Sequence, residues 1–259
     1  MNYRSIRFEL SGSIAVLTLA RPEKLNALTP EMADEMRHAL GHAEGARAVQ
    51  IRGEGRAFCS GADLAEVADR GDPGEGAYRS LTDSYHPLIE DIAAHPLPIV
   101  AEVVGAAAGI GCSLALACDF RVAGQSAYFL QAFVNIGLVP DGGVSWLLPR
   151  LIGKARAAEM LMLGERLPAA KAAEWGLVHE CVADDELGSR ARVLAERLAA
   201  GPTRALGLAK ANLAAGLDRS LSATLEAEAE AQREAAATGD AKEGIAAFLE
   251  KRAPRFRGE

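Results

Sequence analysis

Along the first half of the chain, short apolar runs alternate with stretches whose polar and apolar positions follow a helical period. Tyr3 to Leu10 and Ile14 to Leu19 predict two strands joined at Ser11-Gly12 as a hairpin. Thr29-Pro30-Glu31 supplies an N-cap, a proline at the first helical position and an early acid, and so opens a helix to about His42. Ala48 to Arg52, Pro98 to Val104 and Asp119 to Ala123 predict strands, with a Gly-rich turn and a helix from about Gly111 between the last two. After Gly143 the pattern is helical: Ser145 to Ile152, Lys154 to Leu163, Ala169 to Trp175, Glu186 to Ala200 and Leu221 to Ala237. A last helix is expected from Asp240, with Glu243 in capping-box spacing. Gly71-Asp72-Pro73-Gly74-Glu75-Gly76 is the most polar, turn-rich stretch and reads as a mobile loop. The chain thus passes from α/β to α, dividing into a core over 1–200 and a helical region over 201–259.

Composition and charge narrow the class. At 259 residues the chain can bury a sizeable core. With 28 Lys and Arg against 35 Asp and Glu, its net charge of -7 leaves no face-wide basic excess to neutralise phosphates, so no nucleic-acid partner is expected. Val103 to Cys118 carries no charge, but it falls short of the roughly 18 apolar residues of a membrane helix and contains Gly105, Gly109 and Gly111. A buried strand, turn and helix is the better reading. Met1 to Gly12 carries Arg4, Arg7 and Glu9 with no apolar central run, unlike a secretory signal. Cys59, Cys112, Cys118 and Cys181 form no C-x-x-C pair and predict reduced, packed thiols in a cytoplasm. His38 and His42 are four apart on a helix, yet no third ligand is suggested, so no metal site is expected.

Two Gly-rich turns could carry chemistry. Gly105-Ala106-Ala107-Ala108-Gly109-Ile110-Gly111 has neither the Lys-Ser/Thr of a P-loop nor the order of a dinucleotide fingerprint. It does place a backbone N–H at the positive end of the following helix, where an oxygen turning negative during reaction would be stabilised. Phe58-Cys59-Ser60-Gly61-Ala62-Asp63-Leu64 offers a second such N–H. A rival reading makes Gly111-Cys112-Ser113-Leu114-Ala115 a nucleophile elbow, with Asp141 and His179 following in hydrolase order, against a packed or capping Ser113. Asp141 itself sits in Pro140-Asp141-Gly142-Gly143, which by itself is an ordinary turn sequence.

Taken together, Arg21 to Leu28, Phe58 to Leu64, Gly105 to Asp119 and Gly137 to Gly143 resemble, in order and spacing, the enoyl-CoA hydratase/isomerase (crotonase) superfamily. The resemblance implies an α/β fold, a crotonase-like spiral of β-β-α repeats followed by a C-terminal helical trimerisation region, assembled as a homotrimer or hexamer. It implies an acyl-CoA thioester substrate, with coenzyme A part of the substrate and no separate cofactor. The oxyanion donors would be the Ala62 and Ile110 N–H groups, Ile110 standing where the family usually has Gly. Lys24, Ala27, Ala62, Asp63 and Leu64 would line the CoA strand-turn, and Phe248 and Lys251 would close over CoA from a neighbouring subunit.

Departures from the family pattern are as informative. True hydratases carry two glutamates that activate water, and the matching positions here are Ser113 and Phe133, neither ionisable. Phe133 is then left as a substrate contact. What remains is Asp141, which matches the proton-moving acid of some isomerases in the superfamily. Gly137 to Arg150, Ala173 to Leu177 and Glu243 to Phe248 resemble the ring 1,2-epoxyphenylacetyl-CoA isomerase subgroup of phenylacetate breakdown. An acyl-CoA isomerase is therefore expected. An enoyl-CoA hydratase, a serine acyl-CoA hydrolase and a non-catalytic acyl-CoA binder are the alternatives. The acyl pocket would involve the loop near Asp69 to Tyr78.

Overall fold

The computed structural model describes residues 3–65 and 72–259. Strands β1 (Ile6–Ser11) and β2 (Ile14–Leu19) pair antiparallel across the expected hairpin, from Ile6 opposite Leu19 to Ser11 opposite Ile14. Parallel to β2 lies β3 (Ala48–Gly53), followed by β4 (Ile99–Val103), β6 (Phe120–Gly124) and β9 (Glu180–Val182), giving a sheet in the order β1-β2-β3-β4-β6-β9. Parallel neighbours require crossovers, and the helices between them cover the sheet. Helices α1 (Pro30–Gly41), α3 (His86–Ala93) and α4 (Ile110–Ala117) join one core with Leu17, Leu19, Ile51 and Ala101. Helix α7 (Leu187–Ala199) packs on the other face against Ile14, Val16, Val100 and Val122. Burial on both faces explains why every residue of β2 is buried.

A smaller layer carries the two Gly-rich turns. Short strands β5 (Ala106–Ala108), β7 (Tyr128–Leu130) and β8 (Leu167–Pro168) form a three-stranded sheet, and isolated bridges Leu28–Ala62 and Cys59–Ala107 extend the same stacking. Units such as β4-β5-α4 thus repeat a long strand, a short strand and a helix, which is the β-β-α spiral implied by the motifs.

Several expectations are corrected. Residues 72–76 are not a loop: Asp72 accepts the Glu75 N–H at 2.9 Å and caps α2 (Pro73–Ser80), which runs through a π turn at Leu81–Tyr85 into α3. The Asp-Pro pair that also starts turns here starts a helix despite two glycines. Gly71 and the Asp69 end of the expected acyl-pocket loop lie outside the described residues, and Tyr78 is on α2. The two helices expected around Gly153 are one element, α5 (Val144–Leu163), broken by the φ of 78° at Gly153. After α6 (Ala169–Glu174) and α7 comes α8 (Thr203–Gly216), which the sequence pattern did not announce, then α9 (Leu221–Ala236) and α10 (Gly239–Leu249). Glu243 does not form a capping box. Thr238 caps α10 by accepting the Ala241 N–H, while Glu243 pairs with Arg252 at 2.6 and 2.9 Å. Helices α8 and α9 bound an open groove of about 870 Å3 lined by Leu208, Leu213, Leu217 and Leu225.

Candidate active site

The two Gly-rich turns lie side by side. Cys59 bridges Ala107, the Ala108 N–H donates to the Cys59 carbonyl at 3.0 Å, and a Cβ on Gly61 would stand 3.3 Å from the Ala108 carbonyl oxygen. In the first turn, Leu28 N–H donates to Gly61 O and Asp63 N–H to Leu28 O, so the intervening Ala62 N–H points away from this pairing and has no acceptor among the described residues. In the second, Gly109 takes φ 52° and ψ -129°, a conformation open to glycine, and hands the chain to α4 without a side-chain cap. Every residue of α4 is buried, yet the Ile110 N–H has no acceptor among the described residues. A buried, uncapped helix start of this kind is a ready site for an anionic oxygen. Ile110 is itself 1% exposed, its Cδ1 packed where a Cβ on Gly142 would fall, so the side chain faces the Asp141 turn.

Asp141 is brought to the first turn of α4 by that contact and by the Ser113 hydroxyl, which lies 3.2 Å from the Asp141 carbonyl oxygen. Its carboxyl Oδ1 is buried and has no hydrogen-bond partner among the described residues. Burial pushes its pKa up from 3.8 to about 6. A carboxylate held there can accept a proton near neutral pH and also return it.

The remaining predicted positions fall into two groups. Lys24 lies in the 3-10 turn Pro22–Lys24, and Ala27, Asp63 and exposed Leu64 follow the strand-turn beside Ala62. Asp63 is already engaged: Arg21 holds its carboxylate at 3.0 Å and the Ala27 carbonyl at 2.6 Å. Phe133, on the turn Ala132–Ile136, lies against Gly109, where an added Cβ would be 3.6 Å from its Cζ. Phe248 is 83% exposed and Lys251 follows it in a left-handed conformation, φ 54°. Both belong to the C-terminal segment rather than to the α4 turn, so within one chain they remain outside the group formed by Ala62, Ile110, Phe133 and Asp141.

Ser113 is not placed as a nucleophile. It is fully buried inside α4 with the Gly109 and Asp141 carbonyls as its hydroxyl partners, and His179 instead accepts the Arg121 N–H at 3.2 Å beside the Phe120 ring. Among the described residues no base is bonded to the hydroxyl. His38 and His42 stack at 4.1 Å, with Tyr3 hydroxyl on His38, and no cluster of metal-ligating side chains occurs among the described residues. Burial raises the thiol pKa of Cys59 to about 11 and of Cys112 to about 12, so both are inert packed thiols. No helix among the described residues is long and apolar enough to cross a membrane.

Residues that the sequence alone did not single out support the turns. Asn26, buried with φ 55°, donates to the Glu54 and Ala57 carbonyls and accepts the Arg21 N–H, tying the 21–28 turn to the end of β3. The Tyr85 hydroxyl donates to Leu28 O at 3.0 Å. Fully buried Gln131 reaches the Gly109 carbonyl; its only signal in the sequence is a lone amide within the apolar run Ala127 to Phe133.

The chain is similar to known proteins over nearly its whole length. The family model described as "Enoyl-CoA hydratase/isomerase" matches residues 9–259. A "Probable enoyl-CoA hydratase" of Rhodobacter capsulatus is 47% identical over 259 residues, all of both chains. A "1,2-epoxyphenylacetyl-CoA isomerase" of Escherichia coli is 40% identical over 250 residues, 95% of each chain. The crystal structure of an enoyl-CoA hydratase from Polaromonas superimposes with a TM-score of 0.92 at 39% identity, covering 97% of this chain and 99% of that one.

Proposed function

The chain belongs to the enoyl-CoA hydratase/isomerase family, and on that footing we propose that it is an acyl-CoA isomerase. The Ala62 and Ile110 N–H groups hold the thioester oxygen as it becomes enolate-like, and the Asp141 carboxylate removes a proton and returns it at another position. Donors of this kind are worth about 2.7 to 4 kcal/mol each where one has been removed from other enzymes. The observation that carries the reading is the Asp141 carboxyl, whose Oδ1 is buried without a partner among the described residues and whose pKa is raised to about 6, in a chain that holds Ser and Phe at positions 113 and 133. Likeness to the Escherichia coli 1,2-epoxyphenylacetyl-CoA isomerase supports a ring epoxide-to-oxepin conversion or a double-bond shift in an acyl chain as the reaction.

Coenzyme A enters as part of the substrate, with Lys24, Ala27, Asp63 and Leu64 along its path, Phe133 at the acyl side, and no separate cofactor. The apolar surface of α8 and α9 and the exposed Phe248 support a homotrimer or hexamer in which Phe248 and Lys251 reach a neighbour's CoA. A cytoplasmic location completes the proposal. Mass spectrometry of the products tests it: isomerisation leaves the substrate mass unchanged, hydration adds one water, and hydrolysis frees CoA.

The second reading, an enoyl-CoA hydratase, is favoured by the 47% identity to the Rhodobacter capsulatus relative of that description. Crotonyl-CoA separates the two, because hydration removes its conjugated absorbance.

A further inference from the structure

One carbonyl in the candidate site collects an unusual number of donors. Gly109 O accepts the Cys112 N–H at 3.0 Å and the Ser113 N–H at 3.2 Å, while the Ser113 hydroxyl lies 3.3 Å away and the Gln131 Nε2 3.5 Å away. This carbonyl and the Ile110 N–H belong to the same planar trans peptide, so fixing the direction of one fixes the other. Donors on the oxygen also draw electron density out of the peptide and strengthen its N–H as a donor, as in any polarised hydrogen-bond chain.

Both side-chain donors are buried against this carbonyl. Gln131 is fully buried and its Oε1 has no hydrogen-bond partner among the described residues, while its amide N–H group also faces the Cys112 thiol. The Ser113 hydroxyl stands between two carbonyls, Gly109 O and, at 3.2 Å, Asp141 O. Its single proton bridges the peptide that presents the Ile110 N–H and the turn that presents the Asp141 carboxyl.

We propose that Ser113 and Gln131 are positioning residues that orient and polarise the Gly109–Ile110 peptide, with Ser113 also fixing the spacing between that peptide and the Asp141 turn. The position at which hydratases carry an acid is then converted to the support of the oxyanion donor. This inference rests on the acyl-CoA reading above.

Infrared spectroscopy of the full-length enzyme with hexanoyl-CoA, isotope-labelled at the thioester carbonyl, reads the Ile110 N–H without requiring turnover. In the wild type the bound carbonyl band lies below that of free hexanoyl-CoA. In Ser113→Ala the band moves part of the way back, kcat for the isomerised substrate falls about tenfold, a fraction of what loss of a whole oxyanion donor costs, and KM stays within about threefold. Gln131→Met, which keeps the volume and removes the donor, moves the band in the same direction and decides the matter should Ser113→Ala not fold. Wild-type bands in both variants, with or without a loss of kcat, overturn the positioning role alone. A wild-type band at the free position overturns the acyl-CoA oxyanion reading and this inference with it.

Discussion

Arg21 and Asp63, 42 residues apart, form an ion pair 3.0 Å long whose side chains are only 18% and 14% exposed. It joins the strand-turn at Pro22–Lys24 to the turn that presents the Ala62 N–H, and the same guanidinium holds the Ala27 carbonyl. Its partial burial separates it from the exposed pairs, which contribute little. Arg21→Ala removes both contacts and leaves a half-buried carboxylate unpaired. We expect a stability loss of roughly 1 to 3 kcal/mol in urea titration, and a raised KM for acyl-CoA with a smaller change in kcat.

Asp141 should dominate the pH dependence of the reaction. As the proposed base it must be ionised, and burial raises its pKa to about 6, so kcat/KM is expected to rise with pH through that value and level off above it. Asp141→Asn keeps the shape of the turn, removes the base, and lowers kcat by about 10² to 10⁴ while acyl-CoA binding stays near the wild-type level. Steady-state kinetics and binding calorimetry on the same samples check both halves. An Asn variant with full activity is incompatible with the assignment.

The same group has an opposite signature in stability. Its folded pKa, about 6, is above the ordinary aspartate value of 3.8, so between those limits the folded chain binds more protons than the unfolded one. Stability contributed by the protonated group is complete below about pH 4 and is lost as pH rises through about 6. At pH 7.5 Asp141→Asn should therefore be more stable than the wild type by on the order of 1 to 3 kcal/mol, an advantage that vanishes near pH 4. Thermal melts at the two pH values would show it; an Asn variant with equal or lower stability at pH 7.5 contradicts the burial argument.

What could be read from the sequence and what could not divide by range. Thr29-Pro30, the hairpin at Gly12 and the Gly-rich turns are local signals, and each forms where expected. Pro140, Gly142 and Gly143 mark only a turn, and Asp141 stood out through the resemblance, as the acid left once positions 113 and 133 hold Ser and Phe. Ser113 stood out in the sequence, but not its contact with the Asp141 carbonyl 28 residues on, and Gln131 and Arg21 meet Gly109 and Asp63 from 22 and 42 residues away, which no window of sequence announces. Arg121 is the clearest case: it reads as a charge in a strand, yet it is buried and donates to the Leu177, Leu116 and Cys118 carbonyls, the last two at the end of α4. Helix α2 was missed for a different reason, since Asp72-Pro73 serves turns and helix starts equally well.

Gly142 and Gly137 both take positive φ, 63° and 75°, but their surroundings differ. A Cβ on Gly142 would fall 2.4 Å from Ile110 Cδ1 and 2.7 Å from both Cβ and Oγ of Ser113, whereas one on Gly137 would meet nothing within 4 Å. The Ile110 methyl can rotate aside; Ser113 Cβ, fixed in α4, cannot. The Asp141 turn must then lift from the helix, carrying the carboxyl away from the Gly109–Ile110 peptide. Gly137→Ala pays only conformational strain, about 1 to 2 kcal/mol, and keeps kcat within a few-fold. Gly142→Ala adds overpacking of about 1 to 3 kcal/mol and loses most of kcat at temperatures where it remains folded. Denaturation and kinetics on the pair separate the two causes, and equal kcat in both variants would show that the contact between the Asp141 turn and α4 does not position the acid.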